Sequence, residues 1–271
     1  MPSNVETETP PVALTIAGFD PSGGAGIVAD VKTFTAFGCF ATAAVTSLTF
    51  QNTMGVFGAA HQSAEVVRAQ VLAVAEDFRV AGAKTGMLPT RETVAEVARL
   101  FRETSLPAPV VDPVACSTTG YDLMDDGALR ALKRELLPLA RVVTPNLPEA
   151  ERITGLKVCD ERGMLEAARV MREMGARAVL VKGGHLEGGA ALDLLDDNGE
   201  VRTFSARRVE TGATHGTGCT LSAAIAACLA RGMTLEASVG AAKHFVSDAI
   251  LRAPRLGRGH GPVNHTVAAR L

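Results

Sequence analysis

The sequence predicts an α/β fold with a central, mostly parallel sheet covered by helices on both faces. Two observations carry this. Short β-branched runs alternate with amphipathic helical windows along most of the chain, the pattern of successive βαβ units. Polar motifs follow several of the strand-like runs, and open α/β sheets bind their ligands beyond the carboxyl ends of the strands.

Taken in order, Val12 to Ala17 reads as a buried strand and Gly18 to Gly24 as a loop. Ala25 to Phe37 reads as a helix ended by Gly38, and Ala41 to Thr49 as a second strand. Ser63 to Glu76 is helical, with Ser63 placed to cap it. Ala81 to Thr85 is a short strand, Thr90 to Glu103 a helix, and Val110-Val111 a strand running into Asp112-Pro113. Asp125 to Leu137 reads as one helix, and Val142 to Thr144 as a strand stopped by Pro145. Glu149 to Thr154 and Glu161 to Met174 are helical, and Ala178 to Lys182 is a strand. Ala191 to Asp196 and Val201 to Ser205 form a hairpin around Asn198-Gly199. Gly218 to Arg231 and Leu235 to Arg252 are the last helices, followed by a Gly-, Arg-, Pro- and His-rich loop. Residues 1–10 form a disordered tail, and residues 11–271 form one domain.

Composition narrows the function. Apolar residues make up 47% of the 271, enough for a sizeable core. The net charge of −2 and the lack of long charged blocks speak against nucleic acid and membrane surfaces as partners. With no Trp and one Tyr, a base-stacking platform is not expected. The polar, acidic N-terminus has no apolar signal region, so the expected location is the cytoplasm. Five scattered cysteines without a CxxC pair read as free thiols.

The motif Thr214-His215-Gly216-Thr217-Gly218-Cys219-Thr220 opens an Ala-rich helix. Glycines let backbone N–H groups approach a ligand, and a helix N-terminus favours an anion such as phosphate. The same glycines also suit an ordinary helix cap. A thiol in the first helical turn is expected to lie below its free pKa of roughly 8.5, so Cys219 is a candidate acceptor for a substrate hydroxyl proton. Asn146 and Glu149 follow a strand, at a spacing that suits either Mg²⁺ and its waters or a capped helix start. Lys182 ends an apolar strand before Gly183-Gly184 and reads as a phosphate partner or a snorkelling lysine. Gly24-x-Gly26-x-x-Ala29 is Rossmann-like, but no carboxylate follows at the ribose position. A dinucleotide-binding oxidoreductase is therefore a distant reading, and the absence of GxxxxGK[ST] removes a P-loop enzyme.

Taken together, the segments resemble the hydroxymethylpyrimidine/phosphomethylpyrimidine kinases of the ribokinase superfamily. They are Leu14-Thr-Ile-Ala-Gly18, Asp20-Pro-Ser-Gly-Gly-Ala-Gly-Ile27, Ala29-Asp-Val-Lys-Thr-Phe34, Gln51-Asn-Thr53, Lys84-Thr-Gly-Met-Leu88, Val111-Asp-Pro-Val114, Thr144-Pro-Asn-Leu-Pro-Glu149, Val181-Lys-Gly-Gly-His185 and Thr214 to Ala223. The resemblance implies a three-layer α/β/α ribokinase-like fold. It implies ATP- and Mg²⁺-dependent phosphorylation of 4-amino-5-hydroxymethyl-2-methylpyrimidine, first to the monophosphate and then to the diphosphate, for thiamine diphosphate. It implies a pyrimidine pocket lined by Gly18, Asp30, Gln51 and Met87, with Thr49 and Val114 nearby. Gly216, Thr217 and Gly218 become the anion hole and Cys219 the base. Asn146 and Glu149, with Asp112, organise Mg²⁺, while Lys182 and Lys243 face the nucleotide. A homodimer is the expected assembly.

Two positions depart from the family pattern. Phe19 replaces a small residue, and Thr118 stands where a lysine is usual, which bears on the second phosphorylation. Pyridoxal or pyridoxine phosphorylation and a non-catalytic pyrimidine sensor are the other readings of the same motifs.

Overall fold

The structure is a computed structural model that describes residues 9–117, 120–184 and 190–270. The expected tail through residue 8, Thr118 and His185 lie outside the described residues. The strands are β1 (Val12–Phe19), β2 (Phe40–Asn52), β3 (Gly55–His61), β4 (Val80–Thr85), β5 (Val110–Val111), β6 (Val142–Val143), β7 (Ala178–Gly183), β8 (Ala190–Asp197) and β9 (Glu200–Arg207). Among the described residues they form one sheet in the order β3-β2-β1-β4-β5-β6-β7-β8-β9. The pairings from β2 through β1, β4, β5 and β6 to β7 are parallel. Antiparallel strands close both edges, β3 against β2 and the β8–β9 hairpin against β7.

The helices are α1 (Gly26–Ala36), α2 (Ala64–Asp77), α3 (Arg91–Glu103), α4 (Asp126–Ala131), α5 (Leu147–Thr154), α6 (Glu161–Glu173), α7 (Thr217–Ala230) and α8 (Leu235–Leu251). Neighbouring strand residues point to opposite faces, and the core divides accordingly. Val110, Val142 and Leu180 pack with α1, α7 and α8, whereas Val111, Val143, Val179 and Val181 pack with α2 to α6. Helices therefore cover both faces of the sheet, giving three layers.

Several local signals act as expected. Ser63 accepts a hydrogen bond from the Val66 N–H and starts α2. Asn198 and Gly199 both have positive φ, 55° and 95°, as a two-residue hairpin turn requires. Two expectations need correction. The second strand continues to Asn52 and folds back as β3, a pairing hidden by two glycines in Gly55-Val-Phe-Gly-Ala-Ala-His61. The helix expected over Asp125 to Leu137 is α-helical only to Ala131, then widens over Leu132–Leu136 and tightens over Leu137–Leu139, where Pro138 lacks an N–H for the ladder. No helix among the described residues is long and apolar enough to cross a membrane.

Candidate active site

The carboxyl ends of β1, β4, β5, β6 and β7 open into a cavity of about 370 Å³. The β1–α1 loop forms one wall. There the Asp20 carboxylate accepts hydrogen bonds from the Ser22, Gly24 and Ala25 N–H groups and pairs with His215 Nε2 at 2.8 Å. Burial pushes Asp20 up, but the bonds from His215 and Ser22 outweigh it and hold its carboxyl below the usual range. This clasp joins the first loop of the chain to the turn before α7.

That turn leaves no room for a side chain at Gly216, which has φ of +79° and lies against the Gly24 carbonyl. A Cβ there would meet the carbonyl oxygen within bonding distance, so glycine is required both by conformation and by space. Gly216 is the N-cap of α7, and Cys219 lies in the first turn. The turn lines the cavity, and the N–H groups of a first helical turn have no partner within the helix, although the Thr217 N–H meets the Thr214 carbonyl at 3.4 Å.

Cys219 departs from the sequence expectation. Its thiol is pushed up to about 11, not lowered. Burial is the largest cause, and Asp112 and Asp30 add to it, whereas Lys84 and a hydrogen bond from the Gly26 N–H act in the opposite sense. The helix N-terminus is outweighed because the thiol, although it lines the cavity, is largely desolvated beside two carboxylates.

On the opposite wall Lys182 Nζ lies 2.9 Å from Asp112 Oδ1 and 3.9 Å from Glu149 Oε2. A Cβ built on Gly218 would come within 3.1 Å of that ammonium, so the lysine reaches the anion turn. Asp112 also accepts from Thr144 Oγ1 and Ser222 Oγ, both at 3.3 Å. Lys182 and Lys84 hold Asp112 below the usual range despite its burial, while burial and the Asp112 charge push Glu149 up. Asn146 and Glu149 form a reciprocal cap on α5: the Asn146 side chain accepts from the Glu149 N–H, and the Glu149 carboxylate accepts from the Asn146 N–H. Both residues nonetheless line the cavity.

A second cavity of about 250 Å³ lies between β8–β9 and α8. It shares Asn146, Lys182, Thr214, Thr217 and Gly218 with the first. The two cavities thus meet at the glycine-rich turn. Lys243 lines the second one and is held at 2.7 Å by Asp193.

The remaining expected site residues sort cleanly. Gly18, Met87, Thr49, Gln51 and Val114 all line the first cavity. Gly18 packs on Met87, whose Sδ would lie 3.0 Å from an added Cβ. Thr49 Oγ1 donates to the Phe19 carbonyl at 2.9 Å. Val114 has φ of 42°, an uncommon conformation for a β-branched residue. Phe19 lines the cavity and does not turn into the core. Asp30 is the exception. It does not line the cavity but sits beneath it with no exposed surface, bound by Lys84. A carboxylate placed on the inward face of α1 finds a buried cation before it can find a ligand. Sequence reasoning missed Lys84 and Arg152, which both line the cavity. Lys84 stood in the Lys84-Thr-Gly-Met-Leu88 segment, where a charge inside an apolar strand was the signal. Arg152 lay in an ordinary helical window and had no such signal; it pairs with Asp122 at 2.8 Å.

A three-layer α/β/α fold with two cavities meeting at a helix N-terminus defines a small-molecule kinase of the ribokinase-like class. The phosphomethylpyrimidine kinase family model matches residues 20–264, and the chain belongs to that family. It is 50% identical over 257 residues to the hydroxymethylpyrimidine/phosphomethylpyrimidine kinase of Rhizobium meliloti, covering 94% of this chain and 96% of that one. It is 47% identical over 256 residues to the thiamine biosynthesis bifunctional protein ThiED of Geobacter sulfurreducens, covering 94% of this chain. The match spans about half of that bifunctional protein, 52% of its length. Among solved structures, an ADP complex of Bacillus subtilis pyridoxal kinase superposes with a TM-score of 0.88 at 35% identity, covering 95% of this chain and 98% of that one.

Proposed function

We propose that residues 11–271 act as one kinase domain that phosphorylates 4-amino-5-hydroxymethyl-2-methylpyrimidine to its monophosphate and then its diphosphate, for thiamine diphosphate synthesis. The observation that carries this reading is the pair of cavities sharing Lys182, Thr217 and Gly218. One cavity takes the pyrimidine and the other the nucleotide, so the reacting phosphoryl group lies over the shared turn.

In the first cavity Gln51 faces the aminopyrimidine edge, since a side-chain amide donates and accepts at once. Gly18, Met87, Thr49 and Val114 shape the pocket. In the transfer step the substrate hydroxyl oxygen bonds to the γ-phosphorus of ATP, the bond from that phosphorus to the β–γ bridging oxygen breaks, and ADP leaves. The hydroxyl proton passes to Cys219 Sγ in its thiolate form, a minor form near neutral pH because the thiol is pushed up to about 11. N–H groups of Gly216, Thr217 and Gly218 hold the charge on the moving phosphoryl oxygens. Lys182 binds the phosphates from the strand end, and Lys243 faces the nucleotide.

The donor set fits magnesium. Glu149 and Asn146 offer hard oxygens in the first cavity, Asn146 where it meets the second, and among the described residues no His/Cys/Asp/Glu cluster encloses a metal alone. That agrees with an ion bound through waters and phosphates. Asp112 joins them when Lys182 turns from it toward the phosphates. Magnesium supplies charge neutralisation on the nucleotide. The working protein is a cytoplasmic homodimer in this reading.

ADP release is to be measured separately with the alcohol, the monophosphate and pyridoxal. The expected order places the aminopyrimidine alcohol first in kcat/KM. The pyridoxal reading is favoured by the likeness to the Bacillus subtilis enzyme, and a much higher kcat/KM on pyridoxal would establish it instead. Cys219→Ala should lower kcat by roughly 10²–10⁴-fold and leave pyrimidine binding nearly intact. An unchanged kcat removes the thiol from the chemistry.

A further inference from the structure

Lys84 is fully buried on a central strand, yet it lines the first cavity. Its Nζ donates to both oxygens of Asp30, at 2.9 Å and 2.7 Å, and Asp30 Oδ2 also accepts from Thr15 Oγ1 at 2.6 Å. Thr15 and Lys84 are register partners on β1 and β4, and Asp30 reaches down to them from α1. The carboxylate is thereby walled in, while the ammonium keeps a side toward the cavity. A Cβ built on Gly86 would lie 3.1 Å from Nζ, so the glycine leaves that side open.

The position of this ammonium under α7 follows from packing. Gly82 lies directly beneath α7, where an added Cβ would meet the Ala226 carbonyl at 2.6 Å. Lys84 is two residues further along the same face, about 6.6 Å toward the carboxyl end of the strand. On α7, which starts at that end, about the same distance covers four residues. This brings the Ser222 and Cys219 turn over Lys84. Helix α7 itself carries no charged residue. The charged groups facing Cys219 are Lys84 from β4, Asp30 from α1, Asp112 after β5 and Lys182 from β7.

We infer that Lys84 is a further positioning residue of this site: with Asp30 it forms a sealed dipole under α7 whose positive end faces the cavity and favours the proton-free form of Cys219. The dipole acts against the burial and the acidic neighbours that make this thiol a weak acid. Lys84 exceeds Asp30 in its effect on the thiol, as the orientation requires. The catalytic meaning of the inference rests on the reading of Cys219 as the proton acceptor.

The test is the pH dependence of alkylation at Cys219 by iodoacetamide, in protein free of magnesium and nucleotide. The extent of modification is read on the Cys219 peptide by mass spectrometry, because Cys219 is partly buried while Cys116 and Cys159 are exposed. The variants Lys84→Met/Asp30→Asn and Lys84→Gln/Asp30→Asn remove both charges together and leave no buried ion alone. At pH 9, each should alkylate about tenfold more slowly than the unmodified protein, corresponding to a midpoint moved up by about one pH unit. A change in access alone scales the rate equally at every pH and leaves the midpoint in place. An unmoved midpoint in both folded variants, or one moved to lower pH, overturns the inference. The kinetics of Cys219→Ala judge the acceptor reading separately: an undiminished kcat there removes the thiol from catalysis, while the alkylation profiles still decide the dipole.

Discussion

Two of the buried lysine–aspartate pairs around the site look alike and differ in their freedom to rearrange. Lys84 and Asp30 are each 0% exposed, and Thr15 completes their bonding. Lys182 and Asp112 are 13% and 2% exposed, and a second acid, Glu149, stands 3.9 Å from the same ammonium. The first pair has no room to rearrange, so it acts as a fixed dipole. The second has a spare partner and opens onto both cavities, so its lysine can change partner when a phosphate arrives. One strand position thus supplies permanent field and another supplies adjustable charge.

Replacing each lysine by methionine breaks the comparison most directly. Lys84→Met leaves the Asp30 charge buried and unpaired, and should cost about 3–5 kcal/mol of stability. The double variant Lys84→Met/Asp30→Asn should recover most of that loss, and thermal unfolding of the two proteins checks both statements. Lys182→Met should behave differently. It leaves Asp112 with Thr144 and Ser222 as hydrogen-bond donors, so the stability loss is smaller, while kcat/KM for ATP falls by about 10²-fold. If Lys84→Met lost only activity, or Lys182→Met only stability, the division between fixed and adjustable charge would fail.

A third buried polar contact sharpens the same point at smaller cost. His265 Nε2 lies 3.0 Å from Thr220 Oγ1 beneath the anion turn. Burial lowers the imidazole from 6.5 to about 4, with Lys32 adding to the shift. Its folded value is below the unfolded one, so the stabilisation is complete above about pH 6.5 and is lost as the pH falls toward 4. The loss should amount to about 2–3 kcal/mol across that window. His265→Gln keeps a donor for Thr220 and should flatten this part of the stability profile, as read by urea unfolding at several pH values.

Much of the fold was legible because local and global signals agreed. Ser63 capped its helix, Asn198-Gly199 made its turn, and polar motifs marked strand ends that do converge. What was not legible depended on packing between distant segments. The antiparallel edge strand β3 carries glycines that weaken its local signal, and it forms because β2 lies beside it. Asp30 was expected in the pocket, but its place is set by a lysine 54 positions away. The Cys219 thiol illustrates the limit best. A helix N-terminus is visible in sequence and favours a thiolate, whereas burial and the two neighbouring carboxylates, Asp112 and Asp30, are not visible, and they prevail over it and over Lys84.

The packing of α7 has a consequence for synthesis. Strands β1 and β4 to β7 emerge from the ribosome before residue 184. Yet the helix that covers Gly82 and supplies the anion turn begins at Thr217. The segment that ties His215 in place comes later still, through the Gly261 carbonyl accepting the His215 N–H. A nascent chain therefore carries most of its sheet with one greasy face covered only by α1 and with no site, and it acquires competence only as residues 215–261 are threaded back across the middle of the molecule.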